Sequence, residues 1–322
     1  MKVTKKIKFT YPFPNWPIDR QLPKKSMVLD NYEFFINDAS CTDPDFWVIF
    51  DGLLRDEKAN CKKDNTVFFT AEPPSFKKYN HDFLQQFGHV ITCQRNINHP
   101  NIHYFHQGHP WFVGKSYDEL ISRIKIPKSK NISVITSDKQ ITDGHKKRFD
   151  FCHQLKEHFG DDVDLFGRGI KDFEDKWDVL APYRYSVAIE NEYLDDWFTE
   201  KLYDCFLAHT VPIYYGCPNL KEYFDPNSFS RININNIKES FAQVDRLLES
   251  RYEDYILPIE QAKIKYLNKY NLFFLIINKI EEIGQQQDSQ ESVILHTESF
   301  FEKKQSKFQI GQSILSLWNS IK

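Results

Sequence analysis

Residues 190–201, "ENEYLDDWFTEK", crowd the carboxylates of Glu190, Glu192, Asp195, Asp196 and Glu200 against one cation, Lys201. Thr199 suits an N-cap, and Leu202, Cys205, Phe206 and His209 follow at helical spacing, which puts Glu200 and Lys201 in a first helical turn. First-turn amides lack internal partners and form a positive end. Such an end binds phosphate, and Lys201 strengthens it. A carboxylate there would not seek the phosphate. Glu200 can instead accept hydrogen bonds from ribose hydroxyls one step along a nucleotide, as the acidic residue of dinucleotide sites does. Glu190 and Asn191 close the preceding strand, at the crevice where open α/β sheets take ligands. Taken alone, Glu200 also fits plain stabilisation of a helix dipole.

The elements that must position these groups alternate between strand and helix. "KIKFTY", "DFWVIFDG", "TVFFTAEPP" and "GHVITC" read as strands in the first third, and 114–130 ends in a Pro/Lys/Ser stretch that reads as a linker. The pattern then restarts with strand "NISVITS", helix "HKKRFDFCHQLKEHFG" and strand "DVDLFG". A helix, strand "YSVAIE", a helix over 200–209, strand "VPIYYG", "SRINI" and a helix from about Ile237 complete it. Two successive α/β units predict two Rossmann-like domains facing a central cleft.

The 322 residues carry a net charge of −3, which offers no general attraction to nucleic acid. Hydrophobic residues at 41% and charged residues at 27% describe a soluble globular chain. Six scattered cysteines without CxxC or zinc spacing read as reduced thiols of a cytoplasmic protein. No signal peptide or anchor is expected from the basic but polar start. At the other end, Ile314, Leu315, Trp318 and Ile321 share a helical face. Packing on the protein itself is the favoured role for that face, and weak peripheral membrane association is the alternative.

"YSVAIENEYLDDWFTEKLYDCFLAHTVPIYYGCP" closely resembles the donor motif of the α-1,3/4-fucosyltransferases, glycosyltransferase family 10. The resemblance rests on Ile189-Glu190-Asn191, Thr199-Glu200-Lys201, Val211-Pro212-Ile213 and Gly216, with "FDPNSFSRIN" as its continuation. It implies the GT-B fold and the enzyme activity of an inverting fucosyltransferase that uses GDP-fucose. Donor contacts are implied for Glu190, Asn191, Glu200 and Lys201, and Trp197 corresponds to the family's aromatic over nucleotide or sugar. Arg148 best fits the family's diphosphate-binding position in "DGHKKRFDFC", although an exposed basic helix face would read the same. Gly167 resembles the turn near the nucleotide base. The catalytic base is implied at Glu72 in "NTVFFTAEPPSF", where a strand precedes it and two prolines block helix continuation. "AEPP" departs from the more familiar "GEN"-like text there.

"NHPNIHYFHQGHPW" holds His99, His103, His106 and His109 in three-residue steps that suit metal binding poorly. A loop presenting His106, His109 and Trp111 to an acceptor sugar is the expectation. The domains expected are 1–125 for acceptor binding and the base, 126–290 for the donor, and 291–322 as a helical tail. No metal is required in this scheme, and a divalent ion would at most be stimulatory. Asp43-Pro-Asp45 and Asp162-Val-Asp164 read as loop acids. Two rivals stand beside this reading. Glu192 and Glu200 form the Glu-x7-Glu spacing of retaining GT-B hexosyltransferases, and a non-catalytic sugar- or nucleotide-binding module would share the same residues.

Overall fold

The computed structural model describes residues 4–122, 126–136, 142–285 and 292–303. The chain divides into two compact units. Unit 1 comprises residues 1–15, 27–105 and 279–322, and unit 2 comprises 16–26 and 106–278.

Unit 1 contains β1 (Lys5–Thr10), β2 (Val28–Leu29), β3 (Tyr32–Ile36), β4 (Phe46–Phe50), β5 (Glu57–Asn60), β6 (Thr66–Phe69), β7 (His89–Thr92) and β8 (Ile102–Tyr104), with the short helix α1 (His81–Leu84). Seven of these strands form one sheet in the order β2-β3-β1-β4-β6-β7-β8, parallel except for β2. Every residue of β4 and β6 is buried, because a parallel sheet covered on both faces needs continuous apolar strands. Phe68 lies at the centre of that core, stacked on Phe87 and edge-on to Phe83. The chain runs from β1 to β3 on one side and to β4 on the other, which makes a switch point beside the carboxyl ends of β1 and β4.

Unit 2 begins with α2 (Tyr117–Ile121) and continues with β9 (Lys130–Ile135), α3 (Asp143–Phe159), β10 (Val163–Phe166), β11 (Tyr183–Ile189), α4 (Glu200–Leu207), β12 (Val211–Tyr215) and β13 (Ser230–Arg231). It ends in α5 (Ile237–Glu249), α6 (Ile256–Lys265), a π-helical turn over Tyr266–Tyr270, and α7 (Leu272–Ile283), which runs on into unit 1. The sheet order is β10-β9-β11-β12-β13, all parallel, with its switch between β9 and β11. The final strand, β14 (Ser292–Leu295), belongs to unit 1 and pairs antiparallel with β5.

Each strand expected from the sequence is present in the same order, and the predicted helix over 200–209 is observed over 200–207. The apolar face of Ile314, Leu315, Trp318 and Ile321 lies outside the described residues. Among the described residues no helix is long and apolar enough to cross a membrane.

Candidate functional site

The acid-rich loop between β11 and α4 is organised around Glu190, which is 1% exposed. Its carboxylate accepts from the Thr199 backbone N–H at 2.7 Å, from the Thr199 hydroxyl at 2.9 Å and from Lys201 Nζ at 3.3 Å. Thr199 in turn caps α4. One buried carboxylate thus ties the strand end to the helix start. Burial pushes the Glu190 carboxyl above its ordinary range, with Lys201 pulling it back. A Cβ on Gly216 would come within 2.6 Å of Glu190 Cγ, which favours glycine at the residue that follows β12. Asp196 has a different task. Its carboxylate accepts from Asn219 and Tyr223 and anchors the middle of the loop. Part of the acid that looks chemical in the sequence is therefore structural.

At the carboxyl ends of β9 and β11 lies a cavity of about 280 Å³, lined among others by Thr136, Arg148, Gly167, Lys176, Glu200 and Lys201. Arg148 projects from α3, whose start is drawn against the loop: a Cβ on Gly144 would lie 1.9 Å from the Asn191 carbonyl oxygen. Arg148 Nη1 donates to Asn191 Oδ1 at 2.6 Å, while its buried Nε has no hydrogen-bond partner among the described residues. A buried guanidinium with an unspent donor on a cavity wall is suited to an anion.

Lys176 was not singled out from the sequence. It sits in a short turn over Lys176–Val179, 2.9 Å from Asp204 Oδ2 and 3.8 Å from Glu200 Oε1. Burial works against its charge, but Asp204 and Glu200 raise its pKa. Glu200 shows the converse. Burial pushes its carboxyl up, yet Lys201 and Lys176 outweigh this and hold it well below the ordinary carboxylate range. The cavity thus presents four cations, Arg148, Arg168, Lys176 and Lys201, and two carboxylates, Asp204 and Glu200, of which Glu200 is kept ionised. That set can hold a diphosphate while accepting from a hydroxyl. Nothing around "EDKW" signals the pairing, because Asp204 reaches Lys176 only through tertiary packing.

Glu72 lies in unit 1, three residues beyond the end of β6, and is half-buried. The backbone N–H groups of Ala71 and Glu72 donate to the Tyr79 hydroxyl at 2.9 and 3.3 Å, and Tyr79 donates to Asp51. Gln94 Nε2 donates to the Glu72 carbonyl at 2.8 Å. The turn is therefore fixed by the side chains of Tyr79, just before α1, and of Gln94, just beyond β7.

The histidine segment sits otherwise than expected. His106, His109 and Trp111 belong to unit 2, and His106 and Trp111 are fully buried. His106 is stacked on Phe198 and edge-on to Tyr223 and Tyr270, while Trp111 packs on Tyr266 and donates to the Lys115 carbonyl. Neither side chain reaches the surface, so both brace the site and do not meet a sugar directly. His109 is 8% exposed and packs edge-on against Trp197, itself 2% exposed. Trp197 supports the loop from below in the same way. His99 pairs with the Phe87 carbonyl and His103 with His89, and among the described residues no group of three potential ligands could hold a metal.

Residues 126–272 match the family model described as "Glycosyltransferase family 10 (fucosyltransferase) C-term". The chain is 24% identical over 234 residues to "GDP-fucose protein O-fucosyltransferase 3" of Danio rerio, covering 66% of this chain and 49% of the relative. It is 32% identical over 72 residues to "Alpha-(1,3)-fucosyltransferase FucT" of Helicobacter pylori, covering 22% and 15%. The matches thus span about half of these curated relatives' length or less. Among solved structures, an alpha1,3-fucosyltransferase with GDP superposes with a TM-score of 0.53 at 18% identity, covering 88% of this chain and 91% of that one. The fold is accordingly GT-B, an α/β architecture with parallel sheets.

Proposed function

We propose, for a chain that belongs to glycosyltransferase family 10 through residues 126–272, that it transfers fucose from GDP-fucose to an acceptor hydroxyl with inversion. The carrying observation is the cavity lined by Arg148, Lys176 and Lys201, in which Lys201 and Lys176 keep Glu200 ionised. In this reading Lys201, Arg148 and the first amides of α4 hold the diphosphate, and Glu200 accepts from the ribose hydroxyls. Asn191 keeps Arg148 aimed through its 2.6 Å hydrogen bond.

The acceptor oxygen attacks the anomeric carbon from the face opposite the phosphate. The bond from that carbon to the phosphate oxygen breaks, and the acceptor proton passes to the Glu72 carboxylate. GDP leaves with the bonding electrons, and its growing charge meets cations already in place, which is where preorganised electrostatics lowers a barrier most. Base catalysis of this kind contributes about 10²–10⁴-fold. The division of labour proposed is the base from 1–125 and donor binding from 126–290. A reducing, cytoplasmic setting belongs to the same reading, supported by six cysteines that are all free and buried.

The test is incubation with GDP-fucose and a panel of glycan acceptors, with a Ser/Thr-containing protein acceptor as a second arm. GDP release that depends on the acceptor, with a product of anomeric configuration opposite to the donor's, is expected. A retained configuration would move the chain to the Glu192/Glu200 reading of a retaining enzyme. GDP binding without any transfer would make it a binding module.

A further inference from the structure

A second cavity, of about 490 Å³, opens on unit 2 and has no part in the donor contacts described above. Its walls come from the loop after β11, the ends of β12 and β13 and one face of α5, including Tyr193, Tyr215, Arg231, Asn235, Gln243 and Arg246. The volume falls within the usual range for small-molecule pockets. Its polar groups are held in place before any ligand arrives. Arg231 Nη2 donates to the Cys217 and Pro218 carbonyls at 2.9 and 3.0 Å, and Gln243 Nε2 donates to Ser230 Oγ at 2.9 Å. Gln243 Oε1 accepts from Arg246 Nε at 3.0 Å, and Asn235 Nδ2 donates to Tyr215 Oη at 3.2 Å. Tyr193 is 56% exposed and leans on Tyr215, with ring centroids 5.3 Å apart and planes 33° from parallel.

We propose that this cavity binds a neutral oligosaccharide, the part of the acceptor glycan away from the reacting hydroxyl. The inference rests on the glycan-transfer reading above and assigns the acceptor a subsite. Three features favour a sugar. An exposed tyrosine face suits the C–H face of a pyranose ring. Planar amide and guanidinium groups fixed at their rear can meet neighbouring hydroxyls that both donate and accept. Glu239 on the same wall offsets part of the charge of Arg231 and Arg246, and the amide and tyrosine groups beside them suit a hydroxyl-rich ligand.

The position also fits. Tyr193 lies in the loop over 190–199, and the residues that flank this loop, Ile189 and Glu200, line the first cavity. On α3, Arg148 lines the first cavity, while Lys147 donates to Asn235 Oδ1 of the second at 3.3 Å. A glycan seated in the second cavity lies beside the first.

The experiment reads binding without turnover. The full chain is titrated by ligand-observed NMR, in the absence of donor, with three neutral probes. These are a disaccharide and a tetrasaccharide of alternating galactose and N-acetylglucosamine, and a mannose trisaccharide. At least one is expected to bind, with Tyr193→Ala weakening it about 3- to 10-fold, as loss of one aromatic contact implies. Tyr193→Phe keeps the affinity, and GDP affinity stays at the wild-type value in both variants. Binding by none of the probes, unchanged binding by Tyr193→Ala, or a Ser/Thr-containing peptide engaging Tyr193 where no sugar does overturns the assignment. Sugar binding that depends on Tyr193, with no transfer from GDP-fucose, supports this subsite and contradicts the proposed reaction. Transfer to a glycan with no effect of Tyr193→Ala does the reverse.

Discussion

The carboxyl edges of the two sheets are built on different principles. In unit 2 the edge is a mesh of opposite charges: Glu190 with Lys201, Lys176 with Asp204 and Glu200, and Arg148 on Asn191. In unit 1 a single turn is held through its backbone, with Tyr79 and Gln94 binding the main chain at Ala71 and Glu72. Lys77 anchors the Asp51 behind it at 3.1 Å. A mesh of fixed charges suits a ligand of fixed charge, such as a nucleoside diphosphate. A backbone-held turn sets the direction of one carboxylate and leaves the chemistry to it. The contrast predicts that the two edges fail differently when altered.

The largest effect should come from unit 1. Glu72→Gln is expected to cut turnover by about two to four orders of magnitude while GDP titration remains as in the wild type. Near-normal transfer by that variant would remove Glu72 from the reaction, and Asp51 or Asp82 would be the next acids to examine. In unit 2, Lys201→Ala should weaken GDP binding by about 10- to 100-fold, the scale of a lost charge-assisted hydrogen bond. It should also lower the melting temperature, since Glu190 loses its cation while buried. Arg148→Ala should weaken GDP as well, with a smaller loss of stability because its partner Asn191 is uncharged. Unchanged GDP affinity in either variant would exclude that residue from the donor site.

A smaller effect separates holding from reacting. Tyr79→Phe removes the oxygen that accepts two backbone N–H groups, and turnover should fall about 5- to 10-fold, equivalent to roughly one lost buried hydrogen bond. GDP affinity should stay constant, and a matching fall in GDP affinity would mean that the tyrosine supports the fold generally.

Much of this was legible in the sequence because it is local. Strands such as "FWVIF" and "YSVAI" declare themselves as continuous apolar runs, and the cap of α4 by Thr199 follows from residue type alone. The family text placed Glu190, Arg148, Glu200 and Lys201 near one another, and they do converge. What was hidden depends on distant partners. Gly108 and Pro110 make residues 99–111 look like an exposed loop, but Tyr266 and Tyr270 arrive from far along the chain and bury Trp111 and His106. The pairing of β5 with β14 is likewise invisible, since "EKAN" carries no strand signal of its own.

The smallest expected effect is on pH dependence, where the two glutamates of one motif move in opposite directions. The folded state keeps the Glu190 proton to higher pH than the unfolded chain does. Its contribution is therefore present below the ordinary carboxylate pKa and lost as pH rises through the raised value. For Glu200 the contribution is present above the ordinary value and lost as pH falls through the lowered one. Glu190→Gln should flatten the fall in melting temperature above the ordinary carboxylate range, and Glu200→Gln the fall on its acid side. Parallel profiles for both variants and the wild type would show that the opposed environments do not act on stability.

The central claim is that the charged edge of unit 2 holds the nucleotide while the turn at Glu72 does not. Hydrogen–deuterium exchange with and without GDP tests it most directly. The account predicts slower exchange at the first turn of α4 and at residues 144–148 and 167–176, with residues 66–79 unchanged. Unchanged exchange throughout unit 2, or slowing confined to 66–79, would contradict it.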